Sequence, residues 1–418
     1  MPRLLLLMTT TTYRASAFLD AARRLQVTVV VGSDQPQALE ALTPGSTLTL
    51  DFFHPGAAMR TITAFAATYP LDAVVGVDDD TTLTAAMVAE VLGVSHNTVA
   101  SVAAARNKHQ MRQLLAAGGV ASPRFACYSI EDNPVEVARQ LTFPCVIKPL
   151  FLAASRGVIR ADDTTQFIAA LQRLVALLRR PEVAIRGGAL ARQFLVEAFI
   201  PGQEVALEGL LTRGQLKVLA LFDKPDPLDG PFFEETLYVT PSRLPTAVQA
   251  AIVACTTGAV QALGLREGPV HAELRVNDQG PWIIEVAARS IGGLCSRTLR
   301  FDAGLSLEEV ILHHALGHEV TSCVRDSYAS GVMMLPTPRR GILQHVQGQK
   351  EARSVPGIED LRLTVPLGQE VIPLPEGDRY LGFLFARAAT PSGVEAALRA
   401  AYARLSFGIT PVARAGNI

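Results

Sequence analysis

In 418 residues this chain has five cysteines, one tryptophan and only 18% charged residues. Cys127, Cys145, Cys255, Cys295 and Cys323 are scattered and form no CxxC pair. That excludes a disulfide frame or a cysteine zinc site and predicts reduced thiols in the cytoplasm. Neither charge is in excess: 38 Lys+Arg stand against 39 Asp+Glu. A cationic face for nucleic acid is therefore not expected. No apolar run approaches the roughly 18 residues of a membrane span. The run Leu4–Met8 after Arg3 is shorter than the roughly 7–15 residues of a secretion signal. No GxGxxG follows the first strand, where Thr9 to Thr12 stand instead, so a dinucleotide-dependent dehydrogenase is excluded. With no GxSxG and no cysteine beside a histidine, the chain offers no covalent nucleophile. It also has no internal repeat and no low-complexity segment, and its length allows two to four domains.

The first hundred residues alternate short apolar runs with helical spacing. Leu4–Met8, Val27–Val31 and Ala73–Val77 read as buried strands. Ala15–Leu25, Met59–Tyr69 and Thr81–Leu92 read as helices. This repetition predicts a parallel sheet covered on both faces. From about Arg106 the pattern becomes α+β. A helix Asn107–Ala117 ends at Gly118-Gly119, followed by strands at 124–128 and 145–148 and a helix at 164–180. Further strands are expected at 194–197, 204–211, 217–223, 268–276 and 282–286, and a helix at 307–316. The last segment carries strands at 332–335, 361–365 and 380–386 and a helix at 391–405.

Four features between residues 106 and 290 call for a joint explanation. Cys145-Val146-Ile147-Lys148-Pro149 is a buried strand ending in a cation, followed by the small-residue turn Ala153-Ala154-Ser155-Arg156-Gly157. Backbone N–H groups of such a turn form an anion cradle, although Lys148 alone reads equally well as a lysine with its stem along apolar surface. In Glu197-Ala198-Phe199-Ile200-Pro201-Gly202-Gln203-Glu204, apolar residues and a turn separate two carboxylates. This combination suits a flat base and a ribose, or else an edge hairpin with exposed acids. In His271-Ala272-Glu273, then Glu285-Val286-Ala287-Ala288-Arg289, a turn at Asp278-Gln279-Gly280 puts Glu273 and Glu285 on one sheet face. Such a pair needs a cation, and Mg²⁺ accepts one or two carboxylates with phosphate oxygens and water; the alternative is an acid protonated or paired with Arg275. Asp223-Lys224-Pro225 and Pro231–Ser242 read as a long loop suited to a lid.

Taken in order, these residues resemble the ATP-grasp superfamily, and within it the L-amino-acid ligases. The resemblance implies an N-terminal parallel α/β unit at 1–105, an ATP-grasp core at 106–328 and a small α+β C-terminal unit at 329–418. It implies an ATP-dependent carboxylate–amine ligase that works through an acyl phosphate. The alternative is an ATP-dependent carboxylase of the biotin-carboxylase or purine-pathway type. The implied cofactors are ATP and Mg²⁺, with Mn²⁺ as a substitute. The implied partners are small carboxylate and amine substrates such as amino acids, and a second copy of the chain. By the same resemblance, Lys108 and Lys148 contact phosphates and Ser155, Arg156 and Gly157 cover them. Ala198 and Phe199 hold adenine, Glu197 lies near its amine and Glu204 takes the ribose. Glu273 and Glu285 carry the metal. Arg289 binds the transferred phosphate and the reacting carboxylate, aided by Gly292 and Gly293, while Asp79, Asp80, Tyr238 and His271 face substrate. Ala287 stands where many members carry a metal-binding Asn.

Overall fold

Leu4, Leu5, Leu6 and Leu7 are wholly buried because their strand, Arg3–Leu7, lies inside a parallel sheet. The sheet runs Thr47–Thr49, Thr28–Ser33, Arg3–Leu7, Ala73–Gly76. The computed structural model describes residues 1–37, 45–318, 320 and 323–412, so the last six residues of the expected 329–418 unit lie outside the described residues. Alternate leucines reach opposite faces, as the strand period of two requires. Leu4 and Leu6 pack with Phe18 of helix Ala15–Arg24, and Leu5 and Leu7 with Ile62 of helix Pro55–Ala66. Strand order reverses between Arg3–Leu7 and Ala73–Gly76, so the loops leaving both strands flank a crevice of the kind that binds ligands in open α/β sheets. The helix expected from Thr81 begins at Asp79. Asp78 caps it reciprocally with Thr81, and Gly93 ends it at φ +69°. Asp79 and Asp80 therefore occupy the first helical turn.

The centre of the molecule is an antiparallel sheet of eight strands among the described residues. Its order is Gly280–Ala287, Gly268–Asn277, Gln203–Thr212, Gln215–Asp223, Leu237–Thr240, Ala329–Leu335, Gly382–Ala388, Ile358–Leu363. Leu237–Thr240 corrects the expected loop 231–242: all four residues are buried and join the two halves of the sheet. Among the described residues five helices were not expected: the short Pro134–Ala138, Pro181–Gly187 and Gln349–Arg353, and two longer ones. Val99–Arg106 is capped by Thr98. Thr246–Ala262 has alanine, valine and threonine on every side, which hides its helical period; it packs through Ile252, Thr256, Ala259 and Val260.

A separate four-stranded sheet, ordered Phe125–Ser129, Gln193–Ala198, Cys145–Pro149, Ile159–Ala161, packs on helix Thr164–Leu178 through Phe167, Leu171 and Leu174. The turn between strands Gln193–Ala198 and Gln203–Thr212 holds Gly202 at φ +126°, where a Cβ would lie 2.2 Å from the Val276 carbonyl oxygen, so only glycine fits. Near the C-terminus, helix Pro391–Tyr402 covers the large sheet, and Gly341–Gln347 pairs with Glu370–Val371 and Ser406–Thr410. Among the described residues, no helix is long and apolar enough to cross a membrane.

Strand Ala329–Leu335 is entirely buried and pairs with Leu237–Thr240 and Gly382–Ala388. A fragment ending at 328 would leave the buried strand Leu237–Thr240 as an exposed sheet edge. Such a fragment is expected to aggregate on expression, or to lose the cooperative thermal transition of the full chain by calorimetry.

Candidate active site

Glu273 and Glu285 are cross-strand partners, as their spacing predicted, but the local geometry differs. Asn277 pairs with Gly280 around a two-residue turn, and the register shifts by one at Ile284. This bulge restores the two acids to opposite positions, and the Ile284 carbonyl accepts a hydrogen bond from Arg112. Like charges this close need cations. Lys108, on the helix that Asn107 caps, reaches Glu285 at 2.9 Å and the Leu152 carbonyl at 2.9 Å. Lys224 lies 3.3 Å from Glu273 and 2.8 Å from Glu204, and also contacts Glu235.

The charge balance around Lys224 is uneven. Glu204, Glu235 and Glu273 bring carboxylate oxygens within 4.8 Å of one another around this single ammonium. Burial opposes the charge on Lys224, yet the three acids push its pKa well above the ordinary value. Burial and then the Glu273 charge push Glu235 up to about 7. Burial alone would raise Glu273, but Lys224 and His271 hold it well below the usual carboxylate range. His271, which burial would make neutral, is instead pushed up to about 9 by Glu208 at 3.1 Å and Glu273 at 3.4 Å. Hard oxygen donors with surplus negative charge fit a hard dication such as Mg²⁺. Glu285 stands outside the group of three acids, held by Lys108.

At the expected adenine and ribose positions the side chains already have partners. Glu197 is buried between Arg112 at 2.7 Å and Lys148 at 2.6 Å, which hold it below its ordinary pKa against the effect of burial. Both cations thus take its oxygens. Burial pulls Lys148 below its ordinary value despite Glu197. Glu204 is likewise held, by Lys224 and by Arg275 at 3.1 Å. At Ala198 and Phe199, the expected adenine position, the backbone N–H groups are engaged: Ala198 donates to the Arg124 carbonyl and Phe199 to the Pro144 carbonyl. The Phe199 ring lies under Arg160 at 4.1 Å and Arg275 at 5.0 Å, forming the rim of the slot.

The turn after Lys148 is tightly fixed. Ala154 and Ser155 both sit at φ +54°, a left-handed conformation that costs side-chain-bearing residues roughly 1–2 kcal/mol each. Ser155 lines the cavity, but Arg156 and Gly157 do not. Arg156 donates to the Glu376 carbonyl and pairs with Asp378 at 3.3 Å, and the Gly157 N–H donates to Pro375 at 2.8 Å. Arg173 adds a two-pronged pair with the Glu376 carboxylate at 2.9 Å. The C-terminal loop therefore clasps the turn from outside, which explains why these two residues face away from the cavity.

At the other end, Arg289 donates through Nε and Nη2 to Asp79, at 3.0 and 2.8 Å. Burial would raise the Asp79 carboxyl, but Arg289 brings it down to about 2. Asp80 is turned away: Arg106 and Arg186 hold it beside a neighbouring cavity. The main cavity measures about 300 Å³ and gathers Lys108, Lys148, Ser155, Glu197, Ala198, Phe199, Glu204, Tyr238, His271, Glu273, Glu285, Arg289, Gly292, Gly293 and Asp79. Tyr238 donates its hydroxyl to Glu235 at 2.9 Å.

Sequence reasoning assigned no role to Arg14, Arg112, Glu208, Lys224 and Glu235. Arg112 lies four residues after Lys108 on one helix, a spacing that puts both on one face. Glu208 is a lone acid in the apolar run Val205–Leu211, and a buried acid needs a partner; it receives the Ile291 N–H and His271. Arg14 follows the first strand's loop and is buried against Val77 and Ser290. Lys224 and Glu235 carried no local signal, since a lid-like loop explained both.

Comparison with known proteins accords with this geometry. Residues 141–298 match the ATP-grasp domain, 19–95 the ATP-grasp N-terminal domain and 333–410 the L-amino acid ligase C-terminal domain 2. Dapdiamide A synthase of Enterobacter agglomerans is 29% identical over 57% of this chain and 57% of that protein. Alanine–anticapsin ligase of Bacillus subtilis is 25% identical over 53% of this chain and 49% of that protein. The match thus spans about half the length of these relatives. The crystal structure of an L-amino acid ligase from Bacillus licheniformis superposes with a TM-score of 0.82 at 25% identity, covering 98% of this chain and 99% of that one.

The clasp on the phosphate turn has a measurable consequence. Glu376→Ala removes the Arg173 pair without touching the cavity. It is expected to raise the apparent KM for ATP several-fold and to increase clipping near residue 155 in limited proteolysis, while the thermal midpoint moves by less than about 4 °C.

Proposed function

We propose that this chain, an ATP-grasp protein resembling the L-amino-acid ligases, is an ATP-dependent carboxylate–amine ligase that joins amino acids or similar small substrates. The observation that carries the reading is the convergence of Lys108, Lys148, Glu273, Glu285 and Arg289 on one cavity wall, from four separate elements and the turn after the last.

A carboxylate resists amine attack because it is anionic and has no leaving group. Transfer of the γ-phosphoryl group breaks its bond to ADP and forms a new P–O bond to the carboxylate. The amine nitrogen then attacks the carbonyl carbon, the C–O bond to phosphate breaks, and the amine gives up a proton. In this reading Lys148 and Lys108 screen the triphosphate, and Arg289, released from Asp79, takes the transferring phosphoryl and the carboxylate together. The backbone at Gly292 and Gly293 borders the same position. Glu273 and Glu285 would hold Mg²⁺, with Glu204 and Glu235 beside Glu273; once bound, the ion would neutralise phosphate charge. Ser155 and the clasped turn shut out water, which would otherwise hydrolyse the acyl phosphate. The slot bordered by Val146, Phe199 and Ile200 suits adenine, with Glu204 positioned for ribose if Lys224 and Arg275 yield. His271 and Tyr238 act on substrate through Glu273 and Glu235.

The boundaries 1–105, 106–328 and 329–418 remain our division of the chain, with one sheet running across the last of them. Five free thiols, three of them buried, support a cytoplasmic location. The carboxylase reading uses the same phosphate machinery. The ligase reading is favoured by the match at 333–410, because Met334, Tyr380 and Phe383 from that segment line the cavity.

The test is release of phosphate from ATP with amino acids supplied singly and in pairs, followed by mass analysis of the product. Glu285→Gln is expected to lower turnover at least ~100-fold with the fold intact. Release that depends on bicarbonate and ignores amino acids would overturn the reading.

A further inference from the structure

The cavity has three parts. Val146, Phe199 and Ile200 form one apolar end, and the lysines, glutamates and Arg289 form the polar middle. Nucleotide and metal account for these two. A second apolar end is walled by Cys295, Met334, Tyr380 and Phe383. Its walls come from three segments that meet only in the folded chain: the turn after Arg289, strand Ala329–Leu335, and the segment entering strand Gly382–Ala388. Met334 and Phe383 are register partners on paired strands. The Cys295 sulfur lies 3.6 Å from that of Met334. The Phe383 ring stands edge-on to Tyr13 at 5.6 Å and to Tyr380 at 6.0 Å.

We propose that this end receives the side chain of the acid that is activated, and that this acid is an amino acid with a bulky, uncharged, apolar side chain. The proposal rests on the ligase reading above and adds the substrate class to it. Cys295 lies six residues beyond Arg289, across the Gly292–Gly293 turn. Arg289, Cys295 and Met334 line one cavity, so in this proposal a carboxylate gripped by Arg289 places the substituent on its α-carbon against the Cys295–Met334 wall. That wall carries no charge: burial pushes the Cys295 thiol and the Tyr380 hydroxyl well above their ordinary pKa values, so both stay neutral. The adjacent carboxylate, Glu235, is already held by Lys224 and Tyr238. A charged side chain would lose its water there, and the charges within reach of Cys295, namely Glu235, Lys224, Arg14 and Glu208, already have partners. The neighbouring cavity of about 200 Å³ is walled by Thr9, Thr11, Thr12, the acids at 78–80, Arg14 and Arg186, and it shares Arg14, Asp78, Asp79 and Gly293 with the main one. Its polar walls do not compete for an apolar group, which leaves it to the amine.

The full-length protein tests this with ATP, Mg²⁺ and each of the common L-amino acids paired with L-alanine. Phosphate release is measured, and the N-terminal residue of the product is identified by mass spectrometry. The activated acid becomes that N-terminal residue. Leu, Ile, Met and Phe are expected there with kcat/KM at least ~10-fold above Gly, Asp, Glu and Lys, since one methylene in an apolar pocket discriminates ~10–200-fold. Met334→Ala is expected to move the optimum toward Phe and Trp. Cys295→Ala is a smaller change that should move it the same way by less, so the test survives if the first variant folds poorly. Release with charged or glycine donors equal to that with Leu, or an unchanged rank order in both variants, overturns the proposal while leaving the ligase reading intact. No release with any amino acid overturns the ligase reading, and this proposal with it.

Discussion

Two carboxylates, Glu273 and Glu285, stand opposite each other on neighbouring strands, and the site depends on how that repulsion is met. Lys108 arrives from a helix more than 150 residues earlier in sequence, and Lys224 from the end of a strand two places across the sheet. Both acids are only partly buried, but each faces the other's charge and is met by a buried lysine. The acids therefore draw cations from distant segments, and those cations in turn tie the turn after Lys148 and the segment after Asp223 to the sheet floor. Lys108 does so literally, holding both Glu285 and the Leu152 carbonyl.

The same arrangement leaves negative charge in surplus. Three acids surround Lys224, and Glu235 titrates near neutrality because burial and Glu273 oppose its charge. Arg289 and Asp79 form a second internal pair. Each partner satisfies a charge that would otherwise stand uncompensated. The C-terminal loop at 375–378 fixes the phosphate turn from outside, so the turn's unfavourable backbone at Ala154 and Ser155 is held by contacts far from the chemistry.

Much of this was legible in the sequence. The period-two runs and the spacing of Glu273 and Glu285 led to the correct strands and the correct pairing, although the turn is one residue shorter than expected and a bulge at Ile284 makes up the difference. Such a compensation leaves no trace in hydrophobic pattern. Arg156 and Gly157 looked like phosphate contacts because local sequence cannot show that Pro375 and Glu376 fold back onto them. Helix Thr246–Ala262 was hidden by small apolar residues on every face, and strand Leu237–Thr240 by the prolines and acids around it. What escaped the sequence was long-range: Arg112 on Glu197, Lys224 among three acids, Arg14 against Ser290. Each is an ordinary residue made functional by its neighbours in space.

The central claim is that this acid–cation floor directs a phosphoryl group from ATP onto a carboxylate. Its most direct measurement uses an amino acid carrying ¹⁸O in both carboxylate oxygens, with the released inorganic phosphate analysed by mass spectrometry after turnover. Formation of an acyl phosphate predicts one ¹⁸O in each phosphate released as the amide forms. Unlabelled phosphate, or label appearing in AMP instead, would contradict the account.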